Sequence, residues 1–241
     1  MIKRIALTLF VAALALPLPV RHALAQAAVP TAISASYDVQ FNGLQIAVIN
    51  EKFDTANDTY RVVSESTPVG LLALFRKQGV TLVSSGRLTA NGLRPEHFEG
   101  RNGGDETRQV SAEFDWTEAR LTLNHEGVTE TAPLPAGAQD RISLMYQFMF
   151  IAPGLRGPFD VAMTNGRKID QYRYLVTRDV DIDTPLGRMR TLHLVKERRP
   201  DESAAEVWLA PEHHFFPVKV LLVEKDGARY EQIITKLDLK L

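Results

Sequence analysis

The chain has 241 residues, contains no cysteine, and carries 28 basic against 29 acidic residues. Without cysteine it has no disulfide, no thiolate for catalysis or metal binding, and no attachment point for the lipid of a bacterial lipoprotein. Its near-neutral charge lacks the excess of basic residues that is typical of nucleic-acid binding.

The N-terminal segment is typical of a secretory signal. Lys3 and Arg4 precede an uncharged apolar run over residues 5–20, and Ala23 and Ala25 occupy the small-residue positions that signal peptidase reads. The run is shorter than the roughly 20 residues of a membrane-spanning helix, and two prolines interrupt it. We therefore predict a signal peptide over residues 1–25, cleaved after Ala25.

Residues 26–241 are predicted to form a single β-rich domain, in which the Pro- and Gly-containing segment 153–158 is the best candidate for a subdivision. Loss of the three basic residues of the signal makes the net charge about −4, which again disfavours nucleic acid as a partner. We expect a free periplasmic protein that is not a lipoprotein and has no stable membrane insertion after signal removal.

The first strand signal lies at residues 33–41, where apolar and polar side chains alternate strictly. Asn42 and Gly43 follow, and both tolerate the positive φ that a tight hairpin requires. The return strand is predicted from residue 44 to residue 53. Similar alternating runs and turn signals recur along the chain, so we predict ten or more short antiparallel strands.

Two segments have helical patterns. Thr67 and Pro68 offer a cap and a first position for a helix that ends near Gly79. Asp140 is predicted to cap a second helix, which carries Ile142, Met145, Phe148 and Met149 toward one side and stops before Pro153. The fold class is therefore mainly β. We expect an antiparallel curved sheet, a half-barrel or barrel-like sandwich, with one or two short helices packed on it.

No catalytic or metal-binding constellation stands out. His213 and His214 are adjacent, which is typical of a surface turn and not of converging zinc ligands. The acidic residues at 179, 181 and 183 lack the glycine and glutamate of a calcium loop and indicate a solvated strand face. No metal and no cofactor are expected. Ser143 lies close to Asp140, but no histidine is near either residue in the sequence.

Aromatic and basic residues offer a ligand-binding alternative. Tyr172, Tyr174 and Trp208 could line a cavity, with Arg141 or Lys219 at its mouth, because apolar walls with few polar groups describe many ligand pockets. The competing interpretation is that these aromatic side chains belong to the core of the sheet.

Four phrases of the chain resemble a known family of exported bacterial proteins, the domain of unknown function 3108 family. They are GLRP at residues 92–95, GAQDRISL at 137–144, TPLG at 184–187, and VWLAPE at 207–212 followed by FPVKV at 216–220. The resemblance covers nearly the whole predicted mature chain and implies no reaction, cofactor or catalytic residue. The last phrase is also similar to half-barrel envelope proteins that shuttle lipoproteins or bind lipid, a likeness of fold alone.

These observations favour a non-enzymatic domain that binds a lipid, acyl chain or peptide, or an envelope protein, in envelope maintenance. One alternative is a hydrolase of envelope polymers, for which Asp140 and Glu206 are the candidate carboxylates. A second alternative is an outer-membrane β-barrel, although the two predicted helices and the charges within the strands argue against it.

Overall fold

A computed structural model describes residues 30–75, 79–103, 108–198 and 202–241 of the chain. The predicted signal, with its cleavage residues Ala23 and Ala25, lies outside these residues. The described residues form fifteen strands and two α-helices. The strands are β1 (Ala32–Phe41), β2 (Leu44–Ala56), β3 (Thr59–Pro68), β4 (Val80–Thr89), β5 (Gly92–Asn102), β6 (Val110–Asp115), β7 (Arg120–His125), β8 (Val128–Pro133), β9 (Gln139–Asp140), β10 (Phe159–Thr164), β11 (Ile169–Thr184), β12 (Gly187–Lys196), β13 (Ala204–Ala210), β14 (Phe216–Val223) and β15 (Arg229–Lys240), and the helices are α1 (Gly70–Phe75) and α2 (Ser143–Ile151).

All the strands belong to one sheet with the order β8-β7-β6-β5-β4-β3-β2-β1-β15-β14-β13-β12-β11-β10-β9. Neighbouring strands are antiparallel, except that β9 runs parallel to β10. The two edge strands, β8 and β9, are not paired with each other, so the sheet is open. The predicted fold class, a mainly antiparallel curved sheet with one or two short helices, is confirmed.

The first hairpin has the predicted geometry. Asn42 and Gly43 both have positive φ, 48° and 84°, as the tight turn between β1 and β2 requires. On β1 the alternation holds, because Ile33, Ala35 and Tyr37 are buried whereas the residues between them are more exposed. The face of β1 that carries these three side chains is called the inner face below.

The helix α2 is buried on more than one side, so the prediction of a single apolar face was wrong. Ile142, Tyr146 and Met149 join a large core cluster with the inner face of β1–β7. Leu144 and Phe148 join a second cluster, formed with β11, β12 and β13. The sheet therefore covers α2 from two directions, which is why a helix with little amphipathic character is stable here.

The helix α1 differs from its prediction. The strand β3 continues through Thr67 and Pro68, which pair with Val48 and Ala47, and the helix begins only at Gly70. The strand β3 pairs with β4 only as far as Ser66. Pro68 lies beyond that point, so the N–H that proline lacks is not needed for a hydrogen bond to β4. In the described part of the chain, no helix is long and apolar enough to cross a membrane.

Two further details of the strands depart from expectation. Leu222 of β14 is 36% exposed, although residues 218–223 were expected to be buried on both faces. The expected common face of the carboxylates at 179, 181 and 183 is broken, because a bulge interrupts β11 and Asp179 has a φ of 57°. His213 and His214 lie in a turn after β13, as predicted.

Candidate functional site

The predicted ligand-binding residues fall into separate clusters. Tyr174 is 5% exposed and stacks on Phe159 with ring centroids 5.5 Å apart. Phe148 of α2 meets the same ring edge-on. Burial raises the pKa of Tyr174 to about 12. Tyr172 lies on the same strand, with the ammonium group of Lys196 4.8 Å from its ring centroid. These two tyrosines pack as part of the second core cluster.

Trp208 and Lys219 lie together on the opposite face of the sheet from Tyr174. Trp208 pairs with Lys219 across β13 and β14. The residues on either side of Trp208 in β13, Val207 and Leu209, pack in the same cluster as Tyr174. Because side chains alternate along a strand, Trp208 points to the other face. The indole stacks on His193 at 4.3 Å, and the Lys219 ammonium lies 5.3 Å from it. His193 in turn meets Glu206 at 2.8 Å. Trp208 is only 8% exposed and belongs to the large core cluster, with the His193 ring and the Lys219 ammonium beside it.

Arg141 stands apart from both pairs. It lies between β9 and α2 and is exposed, and within the described residues no hydrogen bond or ion pair joins it to the other four candidates. The structure thus brings Tyr172 to Tyr174 and Trp208 to Lys219, but it does not bring the five side chains around one cavity. Ligand binding by them stays a prediction.

Asp140, a candidate for hydrolysis, is enclosed in hydrogen bonds. Its Oδ1 accepts from the backbone N–H groups of Ile142 and Ser143 at 3.0 and 2.8 Å, and its Oδ2 accepts from the Ser84 hydroxyl at 2.6 Å. The Ser84 hydroxyl also lies 2.9 Å from that of Tyr60. Asp140 is 0% exposed, and burial raises its pKa despite these hydrogen bonds. The carboxylate ties the start of α2 to β4.

Glu51 is a second inward carboxylate. Its Oε2 accepts from Tyr146 of α2 and its Oε1 from Ser64 of β3, both at 3.0 Å. Burial raises its pKa, and the two hydrogen bonds lower it in part. Asp140 and Glu51 therefore each join α2, or the turn before it, to the inner face of the sheet.

An apolar row lies at one end of the inner face, and we call it the rim row. It consists of Leu44, Phe41, Tyr230 and Leu222, which are direct partners across β2, β1, β15 and β14. Phe41 continues the alternation of Tyr37 and therefore faces the same side. The rings of Phe41 and Tyr230 are 5.0 Å apart. Leu44 is 61% exposed, and Tyr230 and Leu222 are each 36% exposed.

The helix α1 adds two exposed leucines next to this row. The Val69 N–H donates to the Ile46 carbonyl at 2.8 Å, which fixes the start of α1 beside the first residues of β2. Leu71 and Leu74 are 69% and 72% exposed. A row of four paired apolar side chains and two neighbouring leucines is more apolar surface than isolated exposed residues provide, and such surfaces mark interaction sites.

Two clefts lie elsewhere and have a different character. One of about 710 Å³ crosses β15, β1, β2 and β3 and is lined mainly by outward polar side chains, including Ser36, Asn50, Lys52 and Lys236. Another of about 450 Å³ lies on β5–β8 beside His97 and His125. Among the described residues, no group of three or more acidic or histidine side chains is arranged to hold a metal ion.

Comparisons with known proteins give a fold and a family. A search of curated proteins finds no match. The crystal structure of the β-barrel-like protein of domain of unknown function DUF1849 from Brucella abortus is similar over 89% of this chain and 100% of that one, with 11% identity and a TM-score of 0.55. A candidate lipoprotein from Parabacteroides distasonis aligns over 87% of this chain and 95% of its own, with 11% identity and a TM-score of 0.34. The family model "Protein of unknown function (DUF3108)" matches residues 36–233, so the chain belongs to the DUF3108 family.

Proposed function

We propose that this protein is a non-enzymatic periplasmic binding domain that takes an acyl chain or lipid at the rim row. The observation that carries the proposal is the alignment of four apolar side chains across four strands, Leu44, Phe41, Tyr230 and Leu222. Leu44, Tyr230 and Leu222 are each at least 36% exposed. An extended alkyl chain laid across the strands would contact all four side chains.

The chemistry of the row favours an apolar ligand. Each exposed leucine loses its contact with water when a ligand covers it, which contributes about 1.5–3 kcal/mol for a fully buried side chain and less for one already half-buried. Tyr230 adds a hydroxyl at the same end of the sheet, which suits a ligand with an apolar body and a polar head. A peptide with apolar side chains is the competing occupant.

The two candidate carboxylates, Asp140 and Glu206, support a binding role over hydrolysis. Asp140 has no exposed surface, and its oxygens accept three hydrogen bonds from neighbouring groups of the chain. Glu206, the other candidate, meets His193 beside Trp208. A carboxylate with no exposed surface cannot reach a polymer, so Asp140 is not placed for the acid or nucleophile role of a glycoside hydrolase.

The test is binding of a fluorescent fatty acid below its micelle concentration, with native mass spectrometry of protein recovered from the periplasm. We expect Leu222→Asp to weaken binding about tenfold or more, since a buried charge opposes an apolar chain. Leu175→Asp is the matched control, because Leu175 is a similarly exposed strand leucine, at 42%, outside the rim row. Equal loss in both variants, or no binding by the unaltered protein, would contradict the proposal.

A further inference from the structure

We propose that the outer face of the sheet binds an extended peptide of mixed charge, in a trough that runs along β1 between β15 and β2. The outer face is the side of β1 opposite to the inner face. The trough shares no residue with the rim row, and its occupant is charged whereas that of the rim row is apolar. The inference therefore goes beyond the proposed function.

The trough has a floor of small side chains and walls of long ones. Ala32, Ser34 and Ser36 alternate with the buried inner-face residues of β1, so they point outward. Their direct partners on the two neighbouring strands point the same way, because partners across a ladder share a face. These partners are Lys240, Asp238 and Lys236 on β15, and Asp54, Lys52 and Asn50 on β2. Two strand spacings place the walls about 10 Å apart.

This arrangement forms the cleft of about 710 Å³ described above, on the outer side of β15, β1, β2 and β3. A smaller cleft of about 110 Å³ continues it toward Lys240, and the two share Ser34, Lys52 and Asp238. Glu51 also borders the larger cleft, but its carboxylate is bound to Tyr146 and Ser64 on the inner side. The floor from Ala32 to Ser36 is about 13 Å long, the span of five extended residues.

The charged side chains of the walls have no partners of their own. Lys52 and Asp238 are opposite in charge and flank the same serine, yet neither side chain forms an ion pair or a hydrogen bond within the described residues. The same is true of the other outward charges at the trough, which are Asp54, Lys236, Lys240 and, on β3, Glu65. All six side chains are exposed. Their charges are therefore available to the groups of a ligand.

The order of the charges identifies the occupant. Along the β15 wall the sign changes at every second residue, from Lys240 to Asp238 to Lys236. It also changes along the β2 wall, from Asp54 to Lys52. An extended peptide likewise places every second side chain on one side, at the same spacing of about 7 Å. The offset of one residue between its two sides, about 3.3 Å, lies within the reach of lysine and glutamate side chains.

A matching peptide therefore has opposite charges at positions i and i+2, as in Glu-Lys-Lys-Glu-Glu-Lys. Its first, third and fifth side chains would face lysine, aspartate and lysine on the β15 wall, and its second and fourth would face aspartate and lysine on the β2 wall. The outward charges comprise three lysines and three acids. A ligand of one charge sign, such as a polyanion, is thus repelled at as many positions as it is attracted.

Fluorescence anisotropy of labelled peptides with blocked ends tests the inference. The protein is produced from the full chain, and Glu-Lys-Lys-Glu-Glu-Lys is compared with Glu-Lys-Glu-Lys-Glu-Lys, which has the same composition. In the second peptide each side carries only one sign of charge, so it matches neither wall. We expect the first peptide to bind about tenfold or more tightly, and its binding to weaken at high salt.

An exchange of charges in the trough should reverse this preference. Lys52→Glu with Asp238→Lys leaves the net charge unchanged and gives each wall a single sign, with lysines along β15 and acids along β2. We expect this variant to prefer the strictly alternating peptide. The matched control exchanges an exposed pair of opposite charges on β10 and β11, Asp160→Lys with Arg173→Glu, and should keep the preference of the unaltered protein.

The trough proposal is overturned if the unaltered protein binds neither peptide, or binds both equally well. It is also overturned if the exchanged variant folds, as judged by circular dichroism, and still prefers the first peptide. If that variant does not fold, the comparison of the two peptides on the unaltered protein decides. None of these outcomes depends on fatty-acid binding at the rim row, so failure of one proposal leaves the other standing.

Discussion

Replacement of Tyr146 by alanine is expected to lower the free energy of unfolding by about 4 kcal/mol, a typical effect of truncating a large buried aromatic residue. Tyr146 has no exposed surface. Its ring stacks on Phe53 at 5.0 Å and meets Phe216 edge-on at 5.6 Å, so it joins α2 to strands from both halves of the sheet. Alanine would leave a cavity among these rings and remove the hydrogen bond to Glu51.

Tyr146→Phe separates the two contributions. It keeps the ring contacts and removes only the hydroxyl that donates to Glu51, so we expect a loss of about 1–2 kcal/mol. Urea unfolding followed by tryptophan fluorescence and circular dichroism measures both variants. A phenylalanine variant as unstable as the alanine variant would show that the hydrogen bond to Glu51, and not the packing of α2, dominates.

The sequence predicts the strands better than it predicts their assembly. Alternation of side chains and the Asn42–Gly43 turn are local properties, and β1 and its hairpin were found where these signals lie. The start of α1 was missed because Thr67 and Pro68 have the residue types of a helix start, whereas pairing with β2 keeps them in β3. Tertiary pairing overrides a local preference of this size.

The burial of α2 was not predictable from its pattern. Apolar residues occur all around the helix, and only the second half of the sheet, folded over Leu144 and Phe148, explains them.

The rim row was missed for a related reason. Phe41 and Leu44 are adjacent through a turn, but their alignment with Tyr230 and Leu222 depends on pairing between distant parts of the chain. Neither a motif nor a local periodicity encodes that register.

Asp140→Ala is expected to destabilise the fold by about 3 kcal/mol near pH 4, because two backbone N–H groups and the Ser84 hydroxyl lose their acceptor in a buried place. Asp140→Asn should cost about 1 kcal/mol or less at that pH. Its amide oxygen can accept from Ile142 and Ser143, and its amide nitrogen can donate to the Ser84 oxygen. Chemical unfolding of both variants at several pH values measures these differences.

The pH dependence follows from the raised pKa of Asp140, which burial causes. The unfolded chain releases this proton near pH 4, its ordinary value, whereas the folded protein holds it to higher pH. As the pH rises above about 4, the folded state therefore loses stability relative to the unfolded state, until the folded pKa is passed. Both variants lack this loss, so each should gain stability relative to the unaltered protein as the pH rises from about 4 until the folded pKa of Asp140 is passed.

The difference between the two variants supplies the internal control. Neither asparagine nor alanine ionises, so the stability gap of about 2 kcal/mol between them should stay constant with pH while both change against the unaltered protein. If both variants instead kept the pH dependence of the unaltered protein, the titration would lie on another group such as Glu51, whose pKa burial also raises. If instead the variants became less stable relative to the unaltered protein as the pH rises, Asp140 would be ionised in the folded state at low pH. Its hydrogen bonds would then outweigh its burial.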